Sequence, residues 1–209
     1  MTRERGTLIV LSGPSGSGKS TAMAELLRRR DNYYFSISAT TRDPRPGEQN
    51  GVNYWFVSRE RFEEMVSRDE LLEHAEYVGN CYGTPAAPID AALEQGKDVL
   101  LDIEVQGAMQ VRSHRPDAVL IFMVPPSYEE LSRRLNGRGD TPPDKVKARL
   151  EKALQEIQLA PDYDYIVVSE TVEGVANEIQ AIIDAEKCRA ARRAQIVKED
   201  FSHALSTHG

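Results

Sequence analysis

Cysteine is almost missing from this 209-residue chain: Cys81 and Cys188 are the only two, and they have neither metal-ligand nor redox spacing. That excludes a disulfide framework, and the pair reads as free thiols, buried or half-exposed, in a reducing compartment. Long apolar runs are also absent. None approaches the roughly 20 residues that a membrane helix requires. The charged start Met1-Thr2-Arg3-Glu4-Arg5 passes straight into a short apolar stretch, unlike a secretory leader. A cytoplasmic location without membrane contact is the expectation. Positive charge is in deficit, with 26 Lys and Arg against 33 Asp and Glu for a net charge of −7 and a pI near 5.2. Phosphate backbones select basic surfaces, so nucleic acid is not an expected partner. A free nucleotide needs only a local basic pocket, and the positions of the arginines therefore matter more than their number.

The length suits one substantial α/β domain with a sizeable core. Five short apolar runs read as buried strands: Thr7–Leu11, Tyr34–Ser38, Asp98–Ile103, Ala118–Val124 and Tyr165–Val168. Their β-branched content without clean alternation fits a parallel sheet covered on both faces, with helices as right-handed crossovers. Val175, Ile179, Ile182 and Ile183 form the inner stripe of a last long helix. Lys187–Arg193 carries four cations and reads as a solvated helix end. The tail Phe201–Gly209 reads as disordered.

Two intervals break the strand–helix alternation. Residues 39–88 hold turn formers (Asp43-Pro44-Arg45-Pro46-Gly47, Asn50-Gly51, Gly79-Asn80), the strand-like Tyr54-Trp55-Phe56-Val57 and a helical Arg59–Ser67. An inserted subdomain with its own small sheet is expected there, because structureless loops of that length are uncommon. In 127–156, Ser127 and Glu130 predict a capping box for a helix ending near Asn136-Gly137. Thr141, Pro142 and Asp144 start another, with Val146, Leu150, Ala153 and Ile157 inward. The polar Arg138-Gly139-Asp140 between them has the character of a mobile lid.

The most specific stretch is Gly13-Pro14-Ser15-Gly16-Ser17-Gly18-Lys19-Ser20-Thr21, which satisfies G-x-x-x-x-G-K-[ST] between a strand and a helix. Glycines let backbone N–H groups approach phosphate oxygens, and the helix N-terminus adds partial positive charge. Lys19 supplies a mobile cation for the β- and γ-phosphates, and the Ser20 hydroxyl suits a Mg²⁺ ligand. A glycine-rich turn without ligand is the plainer reading, but the match in both pattern and context favours a triphosphate site. Arg42 and Arg45 flank a turn-prone Pro44, so both guanidinium forks can address one anion, with Ser38 and Tyr54 as hydroxyl donors. The competing reading is an exposed basic turn balanced by Asp43 and Glu48.

Thr40-Thr41-Arg42-x-Pro44-Arg45-x-Gly47-Glu48, followed by Gly51, Tyr54 and Phe56, resembles the signature of guanylate kinases. Leu72-Glu73-x-Ala75, Gly79-x-x-Tyr82-Gly83-Thr84, Asp102-Ile103-x-x-Gln106-Gly107, Pro125-Pro126-Ser127 and Arg138-Gly139 extend that resemblance from about Gly6 to about Ala185. It implies a P-loop nucleoside monophosphate kinase fold: a five-stranded parallel sheet flanked by helices, with an inserted GMP-binding subdomain and a lid. The expected division is a core of 1–37, 89–126 and 157–209, a GMP-binding subdomain of 38–88 and a lid of 127–156. By resemblance, Ser38, Arg42, Arg45, Tyr54 and Tyr82 hold the GMP phosphate, and Glu73, Thr84 and Glu104 contact guanine. Asp102 stands near the metal and its waters, and Arg138 and Arg149 close over the transferring phosphoryl group. The family often has Asp where this chain has Glu104, and commonly Asn near adenine where this chain has Ser169.

The chemistry agrees with the resemblance. Guanine offers N1–H and an amino group as donors and O6 as an acceptor; Glu73 and Glu104 can accept, and the Thr84 hydroxyl can donate. Adenine would leave a buried carboxylate unpaired. Taken singly, the two glutamates also read as a solvated helix face and a structural strand end. The implied reaction joins ATP and GMP as substrates with Mg²⁺. Its acceptor is already an anion, so His74, His114, His203 and His208 need no catalytic role. Two alternatives remain at this point: a guanylate-kinase-like module that binds phosphopeptides without catalysis, and a kinase for another phosphorylated small molecule.

Overall fold

The computed structural model describes residues 5–137 and 143–194. Its central sheet is parallel and five-stranded, built from β1 (Leu8–Ser12), β2 (Tyr33–Phe35), β7 (Asp98–Asp102), β8 (Val119–Val124) and β9 (Tyr165–Val168) in the order β2-β7-β1-β8-β9. All five expected strands form, with shifted ends: Thr7 and Ala118 precede their strands, and β2 stops before Ser38. The pleat divides each strand between two cores. Leu8 and Val10 of β1 pack with Leu120 and Phe122 of β8 under α3 (Ala86–Glu94) and α4 (Val105–His114). Ile9 and Leu11 pack with Ile121 and Met123 on the other face, under α1 (Lys19–Arg29) and α7 (Val172–Lys187). With helices on both faces, the central residues of the strands bury apolar side chains to either side, which is why the strands read as apolar runs, with Ser12, Asp98 and Asp102 at strand ends.

A second sheet, in the order β4-β3-β6-β5, lies within the interval that breaks the alternation. It comprises β3 (Ala39–Thr40), β4 (Trp55–Phe56), β5 (Leu71–Tyr77) and β6 (Asn80–Pro85). Ala39 and Leu71 bury against Phe62 and Met65 of α2 (Arg59–Ser67). The β5–β6 turn is Val78-Gly79, both at positive φ (49° and 74°), and Asn80 already belongs to β6. The tightest turn of this sheet therefore starts one residue before the expected Gly79-Asn80.

Helices α5 (Tyr128–Asn136) and α6 (Pro143–Ile157) pack on each other through Leu131, Leu135, Val146 and Ala153, with Leu150 and Ile157 at the margin. Half of the expected capping box forms: Ser127 Oγ accepts from the Glu130 N–H at 3.2 Å. The Glu130 carboxylate does not return to the cap, because Arg133 and Arg134 hold it at 2.6–2.7 Å. The C-terminal cations also differ from a solvated helix end. Lys187 pairs with the buried carboxylate of Asp98, and Arg192 donates to Thr7 Oγ1 at 3.1 Å. Arg138, the Thr141-Pro142 helix start and the Phe201–Gly209 tail lie outside the described residues. Among the described residues no helix is long and apolar enough to cross a membrane.

Candidate active site

Open parallel sheets bind ligands beyond the carboxyl ends of their strands, where successive connections leave in opposite directions. Here β1 is central, and the chain fills its β7 side before crossing to β8 and β9. The turn after β1 opens at Gly13 with φ 137°, and a Cβ there would lie 2.2 Å from the Met123 carbonyl oxygen. Only glycine fits so close to the neighbouring strand. Gly18, left-handed at φ 93°, is the N-cap of α1 and aims the following N–H groups into the loop.

A cleft of about 550 Å³ opens over this loop, lined by Gly13, Ser15–Thr21, Asp102, Glu104, Arg134, Arg149, Lys152 and Glu156. Pro14 contributes backbone instead: its carbonyl accepts from Ser17 N–H at 3.1 Å. Lys19 folds onto the loop, donating to the Gly13 carbonyl at 2.6 Å. Burial pulls its pKa below the ordinary lysine value, while Asp102, Glu156 and Glu104 favour its charged form. Burial likewise raises Asp102, and Lys19 and Ser20 oppose that shift.

Asp102 ends β7 beside β1, and its Oδ2 lies 3.5 Å from Ser20 Oγ. Two hard oxygens at the loop mouth suit a small divalent cation that draws its other ligands from phosphate and water. Among the described residues no group of three or more His, Cys, Asp or Glu side chains could form an all-protein cage.

The expected acceptor residues divide into two clusters. Arg42 lies over the rings of Tyr54 and Phe56, 5.4 and 5.8 Å from their centroids, and Tyr54 meets Tyr82 edge-on at 6.2 Å. Ser38 joins them through its carbonyl, which accepts from Trp55 N–H at 2.9 Å. Glu48 does pair with Arg42, as the competing reading held, yet the Arg42 side chain is only 14% exposed. Arg45 is exposed, and its backbone N–H donates to Glu48 Oε2 at 2.8 Å.

In the second cluster Thr84 donates to Glu73 Oε1 at 2.6 Å, both residues buried. Burial raises the Glu73 pKa; the Thr84 hydrogen bond lowers it, and the charge of Glu104 raises it further. Glu104 itself is not held against them. It is the N-cap residue of α4, 74% exposed, and takes an ion pair from Lys152 of α6 at 3.1 Å.

Several site-lining residues escaped sequence reasoning. Arg134 donates to Ser169 Oγ at 2.8 Å and to the Ser169 carbonyl at 2.7 Å. It also walls a second cleft of about 230 Å³ that shares Ser17, Gly18 and Thr21 and is backed by Met123, Val172 and Val175. Nothing in the run Arg133-Arg134 separates the two arginines. Only the helix turn sends one outward, 74% exposed, and the other inward, 23% exposed. Lys152 and Glu156 of the main cleft are further omissions, and so is Gly107, although it sits in the motif Gln106-Gly107: a Cβ there would lie 2.8 Å from Glu73 Oε2.

Comparison with known proteins agrees with this arrangement. The sequence profile of guanylate kinases ("Guanylate kinase") matches residues 5–186. Guanylate kinase of Lactococcus lactis subsp. lactis is 50% identical over 203 residues, covering 97% of each chain. That of Thermus thermophilus is 51% identical over 194 residues, 93% of this chain and 88% of the other. The crystal structure of guanylate kinase from Anaplasma phagocytophilum superposes with a TM-score of 0.74 at 36% identity, covering 96% of this chain and 97% of that one. A phosphate loop, an arginine–aromatic cluster and a buried carboxylate thus sit on a shared fold across nearly the whole sequence, and the chain belongs to the guanylate kinase family.

Proposed function

We propose that this nucleoside monophosphate kinase transfers the γ-phosphoryl group of ATP to GMP, and to dGMP, yielding ADP with GDP or dGDP in purine nucleotide recycling. The observation that carries the choice of acceptor is the buried Glu73–Thr84 pair, a carboxylate acceptor beside a hydroxyl. The carboxylate suits the N1–H and amino group of guanine, whose arrival frees the Thr84 hydroxyl to turn to O6, and adenine would leave the carboxylate unmatched. Glu104 adds a second carboxylate once guanine competes with Lys152 for it.

In this reading Gly13–Thr21 cradles the triphosphate, and the cleft between Arg134 and Val172 receives adenine, with Ser169 acting through Arg134. Ser38, Arg42, Arg45, Tyr54 and Tyr82 hold the acceptor phosphate. Mg²⁺, which Ser20 and Asp102 (through water) would hold, supplies charge neutralisation between the phosphates. The acceptor oxygen is anionic at neutral pH, so no base is required, and the obstacle is repulsion between two polyanions. Lys19, Arg42, Arg138 and Arg149 offset that repulsion, and closure of 127–156 over 38–88 and the core excludes water. Arginine delivered to such a transition state contributes on the order of 10³–10⁵ in rate.

The intact loop, with Gly18, Lys19 and Ser20 in place, favours catalysis over a phosphopeptide-binding role. The test is ADP formation from ATP with GMP, AMP, UMP, CMP and ribose phosphates offered in turn. GMP should exceed AMP in kcat/KM by roughly 10⁴. A preference for another acceptor, or no turnover with any, would defeat the proposal.

A further inference from the structure

The carboxylate of Glu48 is held where the two acceptor-phosphate arginines meet. Oε1 and Oε2 accept from Arg42 Nη2 at 2.9 and 3.0 Å, and Oε2 also accepts from the Arg45 backbone N–H at 2.8 Å. The Glu48 N–H donates back to the Arg45 carbonyl at 3.0 Å, so the turn is closed from both ends. Gly47, at φ 89°, supplies the left-handed residue that this reversal needs. On its other side Arg42 donates from Nη1 to the Asp43 carbonyl at 2.7 Å, and the Tyr54 and Phe56 rings lie beneath it.

We propose that Glu48 is the positioning residue of the acceptor-phosphate site, fixing the Arg42 fork and the Arg45 turn before substrate arrives. The proposal rests on the reading of Arg42 as a phosphate-binding residue. An arginine free in solution samples many rotamers, and its planar fork helps binding most when it is already aimed. A carboxylate that merely occupied the phosphate's place would be displaced on binding. Glu48 is instead tied to the backbone at Arg45, so it belongs to the frame of the turn.

The test measures initial rates and melting temperature for Glu48→Gln, Glu48→Asp and Arg42→Met. Glu48→Gln keeps the size but loses the charge; KM for GMP should rise about tenfold while KM for ATP stays within about twofold of wild type. Glu48→Asp, which keeps the charge, should recover most of that loss. In the Arg42→Met background, Glu48→Gln should cost less than about threefold, because its main partner is gone. An unchanged or lowered KM for GMP in Glu48→Gln would overturn the proposal. So would equal losses for both substrates accompanied by a fall in melting temperature, or a full tenfold effect without Arg42. If Arg42→Met raises KM for GMP while Glu48→Gln does not, only the positioning role fails. If neither changes it, the acceptor-site reading fails first.

Discussion

At Glu73 burial, and then the neighbouring charge of Glu104, disfavour ionisation, and the single hydroxyl of Thr84 only partly offsets them. A carboxyl whose folded pKa is raised contributes stability that is complete below its ordinary value of 4.5 and is lost as pH rises through the folded value. Glu73→Gln removes that loss. Urea unfolding of the ligand-free protein should therefore show the variant gaining on wild type as pH is raised from about 5 to 7.5. A constant difference across that range would show that Glu73 titrates normally. The same carboxylate limits Gly107, where a methyl group would meet Glu73 Oε2 at 2.8 Å. Gly107→Ala is expected to displace the carboxylate and raise KM for GMP about tenfold while KM for ATP stays near wild type, checked by initial rates.

Among the elements, the β5–β6 hairpin carries a visible cost. Two-residue hairpin turns of this hand need positive φ at both central positions, which Asn-Gly supplies. This chain places Val78 there at φ 49°, the residue being 80% exposed. A β-branched residue gains nothing from packing at that exposure and clashes with its own backbone. Val78→Asn should stabilise the protein by about 1 kcal/mol, read as a higher urea midpoint with catalysis unchanged. Helix faces were more legible than turns. Val146, Leu150, Ala153 and Ile157 follow the helical period, and all four pack on α5 as that period requires. Gly79-Asn80 has turn chemistry and Gly79 does lie in the turn, whereas Val78 enters it only through the register of Tyr77 against Asn80.

On the scale of the whole molecule, Asp98 joins the start of β7 to the end of α7. Its carboxylate is 1% exposed, takes the Thr7 N–H at 3.0 Å and pairs with Lys187. Removing the cation would leave a buried charge uncompensated. Lys187→Met should therefore cost about 3–5 kcal/mol, read by chemical denaturation, whereas Glu173→Gln, a change in the exposed first turn of the same helix, should cost little. An equally small effect at Lys187 would return its cluster to the role of a solvated helix end.

The sequence by itself determined the phosphate loop, the five strands, the amphipathic helices and the order of the motifs. Each of these is a local pattern: φ-permissive glycines, apolar runs, or residues repeating at 3.6. Only the tertiary structure decided which charges meet. It joined Glu73 to Thr84, Arg42 to Glu48 and Lys187 to Asp98, turned Arg134 inward beside an outward Arg133, and gave Glu104 to Lys152. The reason is physical. A carboxylate is the same letter whether solvated or buried, and its energy is set by burial and by partners that lie, for Lys187 and Asp98, 89 residues away in the chain.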